Sequence, residues 1–140
     1  MKKIILGLLL PALAMTLMTS CEKDDDSNPT FHEATGFVLN TPANATNNTY
    51  DLASASSLNL TCTQPDYGGM PLVTDYHVQV SLNSDLSDSI ELETFYTKAS
   101  MNVDPLEINN AMIKLYTKAH GDVAYPNESR PLYVRLRAIV

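Results

Sequence analysis

The side chains able to act as nucleophiles, proton carriers or metal ligands are few in this 140-residue chain: two cysteines, Cys21 and Cys62, three histidines, His32, His77 and His120, and the carboxylate run Asp24-Asp25-Asp26. The histidines show no His-x-x-x-His spacing and the cysteines no Cys-x-x-Cys spacing, so neither set forms a zinc-type cluster. The aspartate run lacks the glycine turn and later glutamate of a calcium loop. There is no glycine-rich phosphate loop and no Gly-x-Ser-x-Gly elbow. Hydrolase and kinase chemistry therefore has no residues to rest on, and no metal, cofactor or catalytic site is assigned. Cys62 alternates with Leu58 and Leu60 and is expected in the core as a small hydrophobe.

Cys21 is different because of what precedes it. Lys2 and Lys3 lead into an apolar run from Ile4 to Leu17, too short for a bilayer span of about 20 residues and suited to the core of a signal peptide. Leu17-Met18-Thr19-Ser20-Cys21 resembles the lipobox of bacterial lipoproteins, with Leu17 and Ser20 the closest fits. That resemblance implies cleavage before Cys21 and diacylglycerol on its thiol. Two or three acyl chains hold a protein stably where one does not. The alternative is an ordinary secretory signal with Cys21 free or in a disulfide, but such signals favour an Ala-x-Ala cut that is absent. Lys23-Asp24-Asp25-Asp26 resembles the acidic export signal that places lipoproteins of Bacteroidetes-type bacteria on the cell exterior; the same charges also make a solvated tether.

The elements that follow divide the chain into residues 1–20 as leader, 21–35 as acidic flexible tether and 36–140 as one domain. Losing Lys2 and Lys3 with the leader moves the formal charge from −7 to −9. Such a surface repels nucleic acid and anionic membranes. Strands are expected at Gly36–Leu39, Ser57–Thr63, Asp75–Leu82, Ile90–Thr97, Ser100–Val103 and Leu132–Ala138, with a short additional piece at Tyr50–Leu52. Tyr76, Val78, Val80 and Leu82 point inward, leaving His77 and Gln79 to water, and Ile90, Leu92 and Thr94 share an inner face. Asp104 is an N-cap, Pro105 the first helical residue and Glu107 the closing residue of a capping box. Ile108, Ala111, Met112 and Leu115 then form one helical stripe through about Tyr116.

Strands at even spacing with one short helix give an all-β antiparallel sandwich. Asp75–Ser81 resembles strand C, and Leu132–Ala138 strand F, of immunoglobulin and fibronectin III-like domains. With the lipobox, the acidic tether, Val38-Leu39-Asn40-Thr41-Pro42 and the helix between late strands, the chain resembles the N-terminal domain of SusE-type outer-membrane lipoproteins. The resemblance implies a non-catalytic spacer or interaction module in a polysaccharide capture and uptake system, beside a TonB-type porin and glycan-binding lipoproteins. Direct glycan binding by this domain is the alternative. Its sugar residues are unknown, and the loop tyrosines Tyr67 and Tyr125 are more readily ordinary packing groups. Asp88-Ser89-Ile90 matches a short O-glycosylation pattern, though a plain turn entering a strand explains it as well. Six strands against the usual seven imply that the last one is missing: the chain is a shortened SusE-type protein, or an early segment near Val38 or Tyr50 pairs with the final strand in its place. The first account is preferred.

Overall fold

In the computed structural model, residues 29–34, 36–42, 45 and 49–140 are described. Among them six strands and one helix occur in the order β1 (Leu39–Asn40), β2 (Leu58–Cys62), β3 (Asp75–Ser81), β4 (Ser89–Tyr96), β5 (Ser100–Val103), α1 (Pro105–His120) and β6 (Tyr133–Ile139). They form two antiparallel three-stranded sheets, ordered β1-β2-β5 and β4-β3-β6. This is an open all-β sandwich of the immunoglobulin or fibronectin III type.

Alternation places the core. Leu60 and Cys62 from β2, Tyr76, Val78 and Val80 from β3, Leu92 from β4, and Met101 and Val103 from β5 are all buried between the sheets. The helix starts where Asp104 accepts the Leu106 N–H at 2.9 Å and Pro105 occupies the first turn, and it runs to His120, a turn beyond the sequence expectation. Its stripe, Ile108, Ala111, Met112 and Leu115, is buried as anticipated. Each larger member contributes roughly 1.5–3 kcal/mol by leaving water. The stripe faces the core, and α1 packs on β3 and β4.

Several expectations need correction. Pairing starts at Leu39 rather than Gly36, because Gly36 has φ 142°, a backbone state that interrupts a regular strand. Phe37 still turns inward, edge-on to Tyr76 at 5.9 Å. Tyr50–Leu52 is not a strand: the Asp51 carboxylate accepts the Ala53 N–H and the Ser54 hydroxyl, and the Asp51 carbonyl accepts the Ala55 N–H at 2.9 Å, folding the backbone into a turn instead. Neither Val38 nor Tyr50 pairs with β6. The Val38 carbonyl takes the Thr63 N–H at 2.9 Å, and β1 joins β2.

Strand β4 is also irregular. Its register with β3 runs Tyr76↔Tyr96 and His77↔Phe95, then resumes at Gln79↔Glu91, so β4 carries two extra residues in a bulge. Thr94 lies at this bulge and is exposed, not inward. Its N–H, released from the ladder, is accepted by Glu107 Oε1 at 2.8 Å. Glu107 therefore ties helix to sheet and does not close a capping box.

Candidate functional site

The outer face of the β4-β3-β6 sheet gathers side chains that lie far apart in sequence. Register puts His77 opposite Arg137 and Gln79 opposite Arg135 on β6, and Gln79 opposite Glu91 on β4. Glu91 is the centre. Arg137 donates to both of its oxygens, from Nη2 at 2.9 and 3.0 Å and from Nε at 3.2 Å. Gln79 Nε2 donates to Glu91 Oε2 at 3.0 Å, and His77 Nδ1 lies 3.1 Å from Oε1. Hydrogen bonding by Arg137, then by Gln79, holds the Glu91 carboxyl below the usual glutamate range. Arg135 extends the row by donating Nε–H to Gln79 Oε1 at 2.8 Å. Phe95 stacks on His77 with ring centroids 5.8 Å apart and is 53% exposed. His77 and Gln79, expected to face water, are half-buried beneath this network.

A second feature lies between the sheets. A cleft of about 1350 Å³ opens between β1, β2, α1 and the start of β6, bordered by Leu39, Leu58, Met112, Tyr125, Leu132 and Val134. Inward positions of β6, namely Val134, Leu136 and Ala138, are only half-buried, in contrast to their counterparts on β3. Beside the cleft, Arg130 sits 5.1 Å over the Tyr116 ring and pairs with Glu128. The Tyr125 hydroxyl is shielded without a partner among the described residues, and burial pushes its pKa up.

Cys21, Lys23, Asp24, Asp25 and Asp26 lie outside the described residues. The three histidines stay apart: His32 beside Thr30, His77 on the sheet, and His120 at the helix end, 3.0 Å from the Tyr116 carbonyl. Among the described residues no group of three or more His, Cys, Asp or Glu is placed to hold a metal ion. Cys62 is buried with a free thiol whose pKa is raised by that burial. Both loop tyrosines pack against other aromatic rings. Tyr67 is buried and stacked on Phe31, with centroids 6.2 Å apart, while Tyr125 packs edge-on to Tyr116 at 5.1 Å. Thr30 and His32 approach the same loop so closely that a side chain at Gly68, whose φ is 77°, would strike the Thr30 carbonyl. Ser89 is the first residue of β4, and Asp88 before it binds Lys118 at 2.6 Å. The Glu91 cluster was missed in the sequence because its members become neighbours only through strand register; alternation alone supplied the correct face for each.

The model of the SusE outer membrane protein family matches residues 23–137. This chain belongs to that family. The match takes in the whole two-sheet framework up to Arg137 and starts two positions after Cys21. Membership assigns this SusE-family chain to the outer membrane and its associated system. No helix among the described residues is long and apolar enough to cross a membrane. No solved structure matches the chain.

Proposed function

We propose that this SusE-family domain is a non-catalytic lipoprotein module, held by lipid on Cys21 and facing the cell exterior. It serves as a spacer or interaction unit in a polysaccharide capture and uptake system. A TonB-type porin and glycan-binding lipoproteins are its partners. The family match over residues 23–137 carries this reading; the lipobox-like sequence ending at Cys21 supports the anchor. The test is fractionation of a Cys21→Ala variant. Release from the outer membrane is expected, since stable attachment is assigned to the acyl chains on that residue. A variant that still pellets with outer membranes overturns the anchor. Co-isolation of the wild-type chain with a TonB-type porin tests the assembly, and a chain recovered alone from mild detergent argues against it.

One observation favours the second reading, direct glycan binding. Phe95 presents an exposed ring stacked on His77, with the polar groups of Gln79 and Arg135 on the same sheet face. Aromatic faces flanked by hydrogen-bonding groups suit sugar rings. Affinity electrophoresis in starch decides it: retardation abolished by Phe95→Ala supports binding on this face, and unretarded migration removes it.

A further inference from the structure

We propose that residues 29–32 form a releasable latch, closed on the loop of residues 66–69, that sets where the amino-terminal segment leaves the sandwich and how far the domain can stand from its anchor. The loop is shaped to receive it. Asp66 Oδ1 accepts the N–H groups of Gly68 and Gly69 at 2.9 and 3.1 Å, and both glycines hold left-handed backbone, with φ 77° and 76°. The segment then lies directly on Gly68, where a Cβ would strike the Thr30 carbonyl and the His32 ring. The His32 N–H donates to the Tyr67 carbonyl at 3.3 Å, and the Phe31 ring lies parallel to Tyr67 with centroids 6.2 Å apart. Thr30 Oγ1 and His32 Nε2, 3.0 Å apart, brace the segment from within.

What makes the latch releasable is that it covers without being covered. Pro29, Thr30, Phe31, His32 and Glu33 are all exposed, whereas Tyr67 beneath them is buried. Among the described residues one backbone hydrogen bond and one offset ring pair fasten it to the loop. A segment with so few buried contacts opens locally while the core stays folded. Gly36 supplies the swivel: its φ of 142° belongs to glycine, and a Cβ there would meet nothing within 4 Å. Two residues on, Val38 bonds Thr63 and the sandwich begins. Eight residues lead from Cys21 to Pro29 and sixteen from Cys21 to Phe37, at most about 29 Å and about 58 Å of chain at roughly 3.6 Å per residue. Opening therefore doubles the reach and moves the point of departure from the Tyr67 loop to β1. The latch itself stands on geometry; its part in setting distance from a membrane rests on the proposed lipid anchor at Cys21.

The test uses the full chain in mild detergent and a glutamate-specific protease, with the fragments read by mass. Cleavage after Glu33 needs the latch open, and at low protease its rate follows the open population. Glu128, exposed in the loop before β6, is the internal control. Phe31→Ala should speed cleavage after Glu33 by roughly two- to ten-fold, the factor that loss of one aromatic pair implies, with cleavage after Glu128 and the melting temperature unchanged. Phe31→Tyr, which keeps the stack, should stay near wild type. Gly68→Ala, which fills the seat of the Thr30 carbonyl, should speed cleavage after Glu33 at least as much as Phe31→Ala. Equal rates after Glu33 in wild type and Phe31→Ala, acceleration at Glu33 and Glu128 in parallel, or a tyrosine variant as fast as the alanine one would each overturn the proposal. Because cleavage in detergent involves neither the lipid nor the porin, its failure is distinct from failure of the anchor or of the assembly.

Discussion

Glu107 Oε1 accepts the Thr94 N–H at 2.8 Å, so the first turn of α1 supplies the acceptor that the bulge in β4 takes away from the sheet ladder. A carboxylate near a helix N-terminus is also favourably placed in the helix dipole. Glu107→Ala should lower stability by about 1–3 kcal/mol, the usual cost of losing a hydrogen bond to a charged group. Glu107→Gln keeps an acceptor and should lose less. Urea unfolding measures both, and an unchanged midpoint for the alanine variant would remove the proposed tie between helix and bulge.

Val78 tests the core. It is 1% exposed and lies on the inner face of the central strand β3. Val78→Asp buries a charge with no partner and should cost on the order of 4 kcal/mol, enough to unfold a marginal domain. His77→Asp, one position away on the opposite face, should be far milder. Thermal melts that rank the two in the reverse order would place the core on the wrong side of β3.

Acid should release the clasp on Glu91. Its folded-state pKa is depressed, chiefly by hydrogen bonding from Arg137. The resulting stabilisation is therefore present above the unfolded glutamate value of about 4.3 and is lost as the pH falls from there through the lower folded value. Melting temperatures followed from neutral pH to roughly pH 3 should fall more steeply for wild type than for Glu91→Gln. Parallel curves would show that the cluster adds no acid-sensitive stability.

Replacing Asp24, Asp25 and Asp26 with alanine is expected to leave lipidation intact while turning the domain away from the cell exterior. External protease applied to whole cells should then spare the variant and digest the wild type. Equal digestion would leave those charges the role of a tether alone.

Most of the framework was legible because its strands alternate cleanly. Leu58, Leu60 and Cys62 share one face, Tyr76, Val78 and Val80 another, and the start of α1 was marked by Asp104 and Pro105. What escaped was non-local. The β4 bulge leaves no composition signal, so alternation alone sets Thr94 inward and spacing alone assigns Glu107 to its own helix. Asp51 looked like part of an extended piece because its side chain's competition with the backbone is invisible to a hydrophobic pattern. The cluster around Glu91 depends on the pairings Gln79↔Glu91 and Gln79↔Arg135, which join residues 12 and 56 positions apart.

The shortness of β1 has a mechanical side. Its pairing with β2 covers only Leu39↔Cys62 and Asn40↔Thr61, extended by the mutual bonds of Val38 and Thr63, whereas β3 is flanked along its whole length by β6. Load applied through the amino-terminal end meets this seam once the contacts of Phe31 and His32 with the Tyr67 loop have given way. Few bonds must break for β1 to peel away, and the β4-β3-β6 sheet with its helix bears none of that strain until they do. A pull on the amino-terminal end would thus lengthen the molecule by the slack of one short strand before it threatened the sheet that carries Glu91.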